Sequence, residues 1–207
     1  IDLLHEVFTQ TDFATNFQRL QSMQIDSLKN HLLNKPVNRL FTRLGVIIQR
    51  YSYAPQTLLE HAKTLSLEEV MEVRSNLLEE HFMQAFLHGE WRTNDAQAVI
   101  AQMQQRQASE RTVMPINRDV LTLPASTTYF QQVDSVHDDA AALIFLQAPT
   151  TSELDTALTI VLEQLLATPF FEQLRTKKQL GYVVGSGYVT HNAHPGMAFY
   201  IQSPTHR

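Results

Sequence analysis

Cysteine is absent from the 207 residues, which excludes a disulfide framework, a thiolate metal site and a cysteine nucleophile together. It does not fix the compartment. No basic block occurs, and 16 lysines and arginines against 21 acids leave a net charge of −5. That balance gives a nucleic-acid surface no electrostatic support. No apolar run approaches the roughly 18–20 residues of a membrane span. No methionine stands first; the chain opens Ile1-Asp2, so the opening carries no information on a targeting signal and fits a piece of something longer. What is present is ordinary for a globular chain, 43% hydrophobic and 18% charged, too apolar for disorder.

Residues 1–103 read as largely helical. Phe13, Phe17, Leu20, Leu28 and Leu32 recur at helical spacing after Thr11-Asp12, an N-cap pair, and Asn34-Lys35-Pro36 ends that run. Val37, Leu40, Leu44, Ile47 and Ile48 form a second stripe, and Pro55 opens a third helix with Leu58, Leu59 and Ala62. Ser66-Leu67-Glu68-Glu69 is a capping box that starts a helix to about Glu80. His81 to His88 then alternates and ends at Gly89, which predicts a strand. Thr93-Asn94-Asp95 caps another helix through Met103. Residues 104–118 are polar and aperiodic, a linker.

Residues 119–207 begin with extended segments, Val120 to Leu123 and Thr127 to Val133. Ala140 to Leu146 is wholly apolar, as a central strand covered on both faces would be. Thr150-Thr151-Ser152-Glu153 reads as a second capping box. Leu154, Leu158, Val161 and Leu165 follow on one helical face, until Pro169 interrupts and a second helix carries Phe170, Phe171 and Leu174. Tyr182 to Val189 and Met197 to Gln202 read as a hairpin bending over His191 to Gly196. The class is α+β: two partial helix-on-antiparallel-sheet units joined by a linker.

Glycine is scarce, six in all, and Gly181, Gly185, Gly187 and Gly196 fall within sixteen residues. Just before them, Lys177 and Lys178 suit the last turn of a helix, and Gly181 suits its left-handed C′ position. Arg175 would then sit two turns from the strand that starts at Tyr182. On residue types alone, the plainer reading is a solvated helix arginine and a core strand tyrosine.

The string Leu174-Arg175-Thr176-Lys177-Lys178-Gln179-Leu180-Gly181-Tyr182, with Val183-Val184-Gly185-Ser186-Gly187 after it, resembles the C-terminal half of the insulinase/pitrilysin family of zinc metallopeptidases. Phe86-Leu87-His88-Gly89 resembles that family's domain-ending strand, and Met197 to Ser203 its next strand. The resemblance implies that 1–103 is the back of a third family domain and 119–207 the front of a fourth. It implies a zinc endopeptidase that hydrolyses peptides in an enclosed chamber, with this part supplying chamber wall and substrate contacts. The implied partners are peptide substrates and the N-terminal catalytic half of the same polypeptide, with no nucleic acid and no membrane span.

In that family zinc is held by H-x-x-E-H in the first domain. No histidine here begins that string, so the resemblance implies zinc bound outside this fragment, no metal ligand within it, and no activity of this piece alone. His191 and His194 have metal-compatible spacing but fall in a turn, where solvation is the simpler reading. His81 and His88, seven apart, face opposite sides of a strand. By resemblance, Tyr182 is catalytic and substrate-binding, donating a hydrogen bond to the oxyanion or the adjacent substrate backbone, and Arg175 binds substrate carbonyls. The alternative is a family member without the zinc site, serving as a scaffold or peptide-binding half. Localisation would be periplasmic for a bacterial pitrilysin-like parent and cytoplasmic otherwise.

Overall fold

The computed structural model describes residues 6–7, 11–79, 86–106 and 118–204. They fall into two compact units, one of 1–25 with 61–117 and one of 26–60 with 118–207.

The first unit is mostly helical where described. Asp12 accepts from the Ala14 and Thr15 amides at 3.0 and 3.3 Å, capping α1 (Ala14–Leu32) as its sequence predicts. After α2 (Pro36–Ile48) and α3 (Pro55–Thr64), the capping box forms in full at α4 (Leu67–Glu79). The Glu69 amide donates to Ser66 Oγ at 3.2 Å, and the Ser66 amide donates to Glu69 Oε2 at 2.7 Å. Gln21 Nε2 donates to the Ala62 and Leu65 carbonyls at the end of α3, and the Arg74 guanidinium stands 5.1 Å from the Phe13 ring centroid. Helix α5 (Thr93–Arg106) follows. The strand expected over 81–88 is not seen at 86–88, which are irregular and carry a 90% exposed Phe86; residues 81–85 lie outside the described residues, as does 107–117 of the linker.

The second unit holds the buried apolar residues Leu28, Val37, Ile48, Leu59, Val184, Met197 and Ala198. Its sheet contains β1 (Ala140–Gln147), β2 (Val183–His191) and β3 (His194–Ser203). The order is β1-β3-β2 and every pairing is antiparallel, with Ile144, Phe199 and Ser186 in register. Successive residues of a strand point to opposite faces. On one face, Phe41 of α2 meets Tyr200 edge-on at 5.3 Å. On the other, Phe170 meets Phe199 at 5.1 Å and Ser186 Oγ donates to Glu163 Oε1 at 2.6 Å, both from α6 (Glu153–Phe171). The sheet is thus layered between two helices, but β1 is an edge strand rather than the central, doubly covered one that its apolar run suggests, and Ile144 and Leu146 on its α6 side are 61% and 49% exposed.

Several sequence expectations are corrected here. The hairpin turns on two residues only, Asn192 and Ala193, with φ of 46° and 65°, the left-handed pair that a tight hairpin needs. Residues 120–133 make no ladder; Val120 forms a single bridge to Gln49, and Leu123 and Leu121 bond instead to the Gln147 side chain. The second capping box lies two residues on: Ser152 accepts from the Asp155 amide at 3.1 Å, and Asp155 in turn accepts from the Thr150 amide at 3.1 Å. Pro169 does not end the helix. Helix α6 runs through it and widens into π turns over Glu172–Lys177, since proline costs one internal N–H donor rather than the whole helix when the far face is packed. The resulting 25-residue stretch, Glu153–Lys177, is long and apolar enough to cross a membrane by length and composition, which the residue-run reading missed. The stripe Leu154, Leu158, Val161 and Leu165 faces outward, 54–68% exposed.

Candidate functional site

Helix α6 and its π turns end with Gln179 in the left-handed region at φ 51°. There the Leu180 amide donates to the Leu174 carbonyl at 2.9 Å. Gly181 is therefore not the left-handed cap that its position suggests. Its requirement is steric: a Cβ at 181 would lie 2.4 Å from the Gln202 carbonyl oxygen and 2.8 Å from Ile201 Cγ1. That close approach lets the Tyr182 amide donate to the Gln202 carbonyl at 3.1 Å, and the strand β2 begins one residue later.

Arg175 and Tyr182 flank a single peptide link. Arg175 Nη1 donates to the Gly181 carbonyl at 2.8 Å, so the guanidinium ties the helix end to the strand start. The Tyr182 side chain is 42% exposed and is not sealed in hydrocarbon. Its hydroxyl donates to Asp139 Oδ2 at 2.6 Å and accepts from Gln202 Nε2 at 2.6 Å. Gln202 Nε2 also donates to Asp139 Oδ2 at 2.7 Å, and its Oε1 accepts from the Val37 amide at 3.2 Å. The register explains the meeting: β1 starts after Asp139, β2 starts after Tyr182, and β3 carries Gln202 at its end, so all three lie at one margin of the sheet.

The electrostatics follow from these contacts. Hydrogen bonds from Tyr182 and then Gln202 hold the Asp139 carboxyl below the usual carboxylate range, with His137 and Lys35 adding in the same direction. The bond to Asp139 pushes the Tyr182 phenol above its ordinary value of 10.0. The Lys35 ammonium lies 6.0 Å from the Tyr182 ring centroid, and His137 Nδ1 accepts from the Asp139 amide at 3.1 Å.

Asp139 and Gln202 are the members that sequence reading missed. Gln202 offered one signal, a lone amide ending the apolar strand Met197 to Ile201. Asp139 offered none, standing 43 residues from its partner.

The histidine pair is also corrected. His191 and His194 are strand partners across the hairpin, both buried. His194 Nε2 bonds the Ala148 carbonyl at 2.8 Å; His191 Nδ1 meets Gln49 Nε2 at 2.5 Å, and its ring stands edge-on to Phe145. Nδ1 accepts there, so the proton is on Nε2, which has no partner among the described residues. Burial pushes the His191 imidazole below its usual 6.5. His88 is exposed, and His81 lies outside the described residues. Among the described residues no group of three His, Asp or Glu side chains gathers to hold a metal; these side chains do not fit a zinc site. A cleft of about 340 Å³ in the second unit is walled by Arg39 and Arg43 of α2 and by Gln131 to Asp134, and neither Arg175 nor Tyr182 lines it.

Comparisons with known proteins cover the whole chain. Residues 161–207 match the family model for the PQQ synthase PqqF-like C-terminal lobe domain 4. Insulin-degrading enzyme of Drosophila melanogaster is 23% identical over 99% of this chain and 21% of its own length. Coenzyme PQQ synthesis protein F of Pseudomonas syringae is 37% identical over 51% of this chain and 14% of its own. The crystal structure of pitrilysin superposes with a TM-score of 0.78 at 20% identity, covering all of this chain and 22% of that one; it shares the α+β fold. The chain thus spans about a fifth of the length of the curated relatives it matches. By sequence along its length the chain is similar to insulin-degrading enzyme and, towards its C-terminal end, to the PqqF-like lobe; by fold it is similar to pitrilysin.

Proposed function

We propose that this chain is the third-to-fourth-domain portion of a zinc-dependent endopeptidase and supplies wall and substrate contacts to an enclosed peptide-holding chamber. The zinc site belongs to the N-terminal half of the same polypeptide, and this portion alone does not hydrolyse peptides. One observation carries the reading: a half-exposed phenol whose single proton has a defined direction, fixed at the start of β2 beside an arginine that already grips a backbone carbonyl. A preorganised O–H of this kind is what a developing oxyanion, or the peptide oxygen next to it, takes as a hydrogen-bond donor. Arg175 keeps four further N–H groups on a guanidinium that stays charged, and it presents them to substrate carbonyls. The similarity to insulin-degrading enzyme and the PqqF-like match over residues 161–207, which spans both residues, support the assignment.

The test is Tyr182→Phe in the full-length parent, assayed on a flexible peptide with and without a chelator. Loss of one oxyanion donor lowers kcat by about a hundredfold or more, on the order of 3 kcal/mol, with the fold intact. Unchanged kcat removes Tyr182 from the chemistry. A parent that never cleaves peptide at all is instead a scaffold or peptide-binding member of the family.

A further inference from the structure

We propose that Asp139 is a positioning residue for Tyr182: its carboxylate fixes the phenol's direction and keeps its proton in place until a substrate oxygen takes over the hydrogen bond. This deepens the reading of Tyr182 given above and rests on it.

The direction of every proton in the cluster follows from one buried amide. Gln202 is fully buried, and its Oε1 is occupied by the Val37 amide, so its nitrogen is the end that faces Tyr182 and Asp139. An amide nitrogen only donates. The phenol oxygen therefore accepts from Gln202, and its one proton goes to the acceptor it meets among the described residues, Asp139 Oδ2. Asp139 is itself held: its side chain is 11% exposed, Gln202 donates to the same oxygen, and its amide is bonded to His137 Nδ1. A tyrosine on a strand end with a half-exposed ring would otherwise sample several rotations about its C–O bond; here it has one.

The surrounding charges bear on that proton in both directions. The Asp139 carboxylate disfavours a phenolate beside it, whereas the Lys35 ammonium near the ring favours one. His137 faces Asp139, with Nδ1 3.7 Å from Oδ1, and its Nδ1 accepts from the Asp139 amide. Arg175 is directed to the Gly181 carbonyl. The carboxylate in direct contact dominates, so Tyr182 remains a donor at alkaline pH. When a substrate oxygen arrives it replaces Asp139 as acceptor, and the carboxylate keeps the Gln202 bond.

The experiment compares wild type, Asp139→Asn and Tyr182→Phe in the full-length parent. For fluorine NMR titration each protein except Tyr182→Phe is also made with a single 3-fluorotyrosine at position 182, and kcat/KM is measured against pH on the unlabelled proteins. In Asp139→Asn the ring titrates at lower pH than in wild type. The wild-type to Asp139→Asn ratio of kcat/KM widens as pH rises towards about 10, the ordinary tyrosine value. An identical ring titration in the two proteins, or a ratio independent of pH, overturns the proposal, because a purely structural carboxylate would move neither. Asp139→Ser, smaller and also neutral, gives the same comparison if the asparagine variant does not fold. A displaced ring titration combined with unchanged turnover in Tyr182→Phe overturns the substrate role of Tyr182 and leaves its coupling to Asp139 standing.

Discussion

Replacing Gly181 by alanine tests whether this glycine serves sterics or backbone freedom. The new Cβ would sit 2.4 Å from a backbone oxygen and 3.1 Å from the carbonyl carbon of Gln202, atoms that cannot swing aside as a side-chain tip would. Either β3 moves or the helix-to-strand link does. Overpacking of a rigid site costs about 1–3 kcal/mol, and separating the two chains lengthens the Tyr182-to-Gln202 backbone bond, worth about 1 kcal/mol. The expected loss is about 2–4 kcal/mol, or about 4–16 °C in Tm for a domain of this size. Urea unfolding and calorimetry of Gly181→Ala against wild type measure it. Gly187→Ala is the control: nothing lies within 4 Å of its Cβ position and its φ is negative-side backbone, so it stays within about 0.5 kcal/mol. A Gly181→Ala protein within that same margin would refute the steric account.

Tyr182→Phe lowers kcat of the full-length parent by about a hundredfold or more, and Asp139→Asn moves the ring titration of residue 182 to lower pH, as set out above. Because burial depresses the His191 imidazole, its stabilisation is complete above the ordinary 6.5 and is lost as pH falls through the folded-state value. A thermal-midpoint series from about pH 7.5 down to about 5 shows that loss in wild type and a flatter profile in His191→Phe; equal slopes would count against it. Ser66→Ala removes the cap of α4 and costs about 1 kcal/mol, read by chemical denaturation; no change would mean that α4 is held by packing alone.

Local signals in the sequence were read where the physics is local. Pro36 and Pro55 start α2 and α3, and Ser66 with Glu69 starts α4, because caps and proline act within one turn. Tertiary constraints were not legible. Gly181 looks like a helix stop, yet its neighbour two residues earlier takes the left-handed turn, and the reason for glycine lies 21 residues away in the β3 backbone. The spacing of Leu154, Leu158, Val161 and Leu165 correctly marks one helical face but says nothing about which way it points. The stretch His191 to Gly196 has the composition of a wide solvated turn, but a two-residue bend leaves both imidazoles on paired strands, buried. Arg175 and Tyr182 are legible through the motif around them. Their partner Asp139 follows only from strand register.

The outward stripe of α6 also governs how this polypeptide can be handled. Four aliphatic side chains stand in water along three turns of one helix, and Ile144 and Leu146 are 61% and 49% exposed on the sheet face that α6 shares. Such a ridge lowers solubility and invites self-association. Produced by itself the fragment should precipitate or form soluble aggregates as its concentration rises, bind hydrophobic dyes, and elute early from a sizing column. Charged replacements at Leu154 and Leu165, far from the Tyr182 cluster in sequence, are the changes that would keep it dispersed.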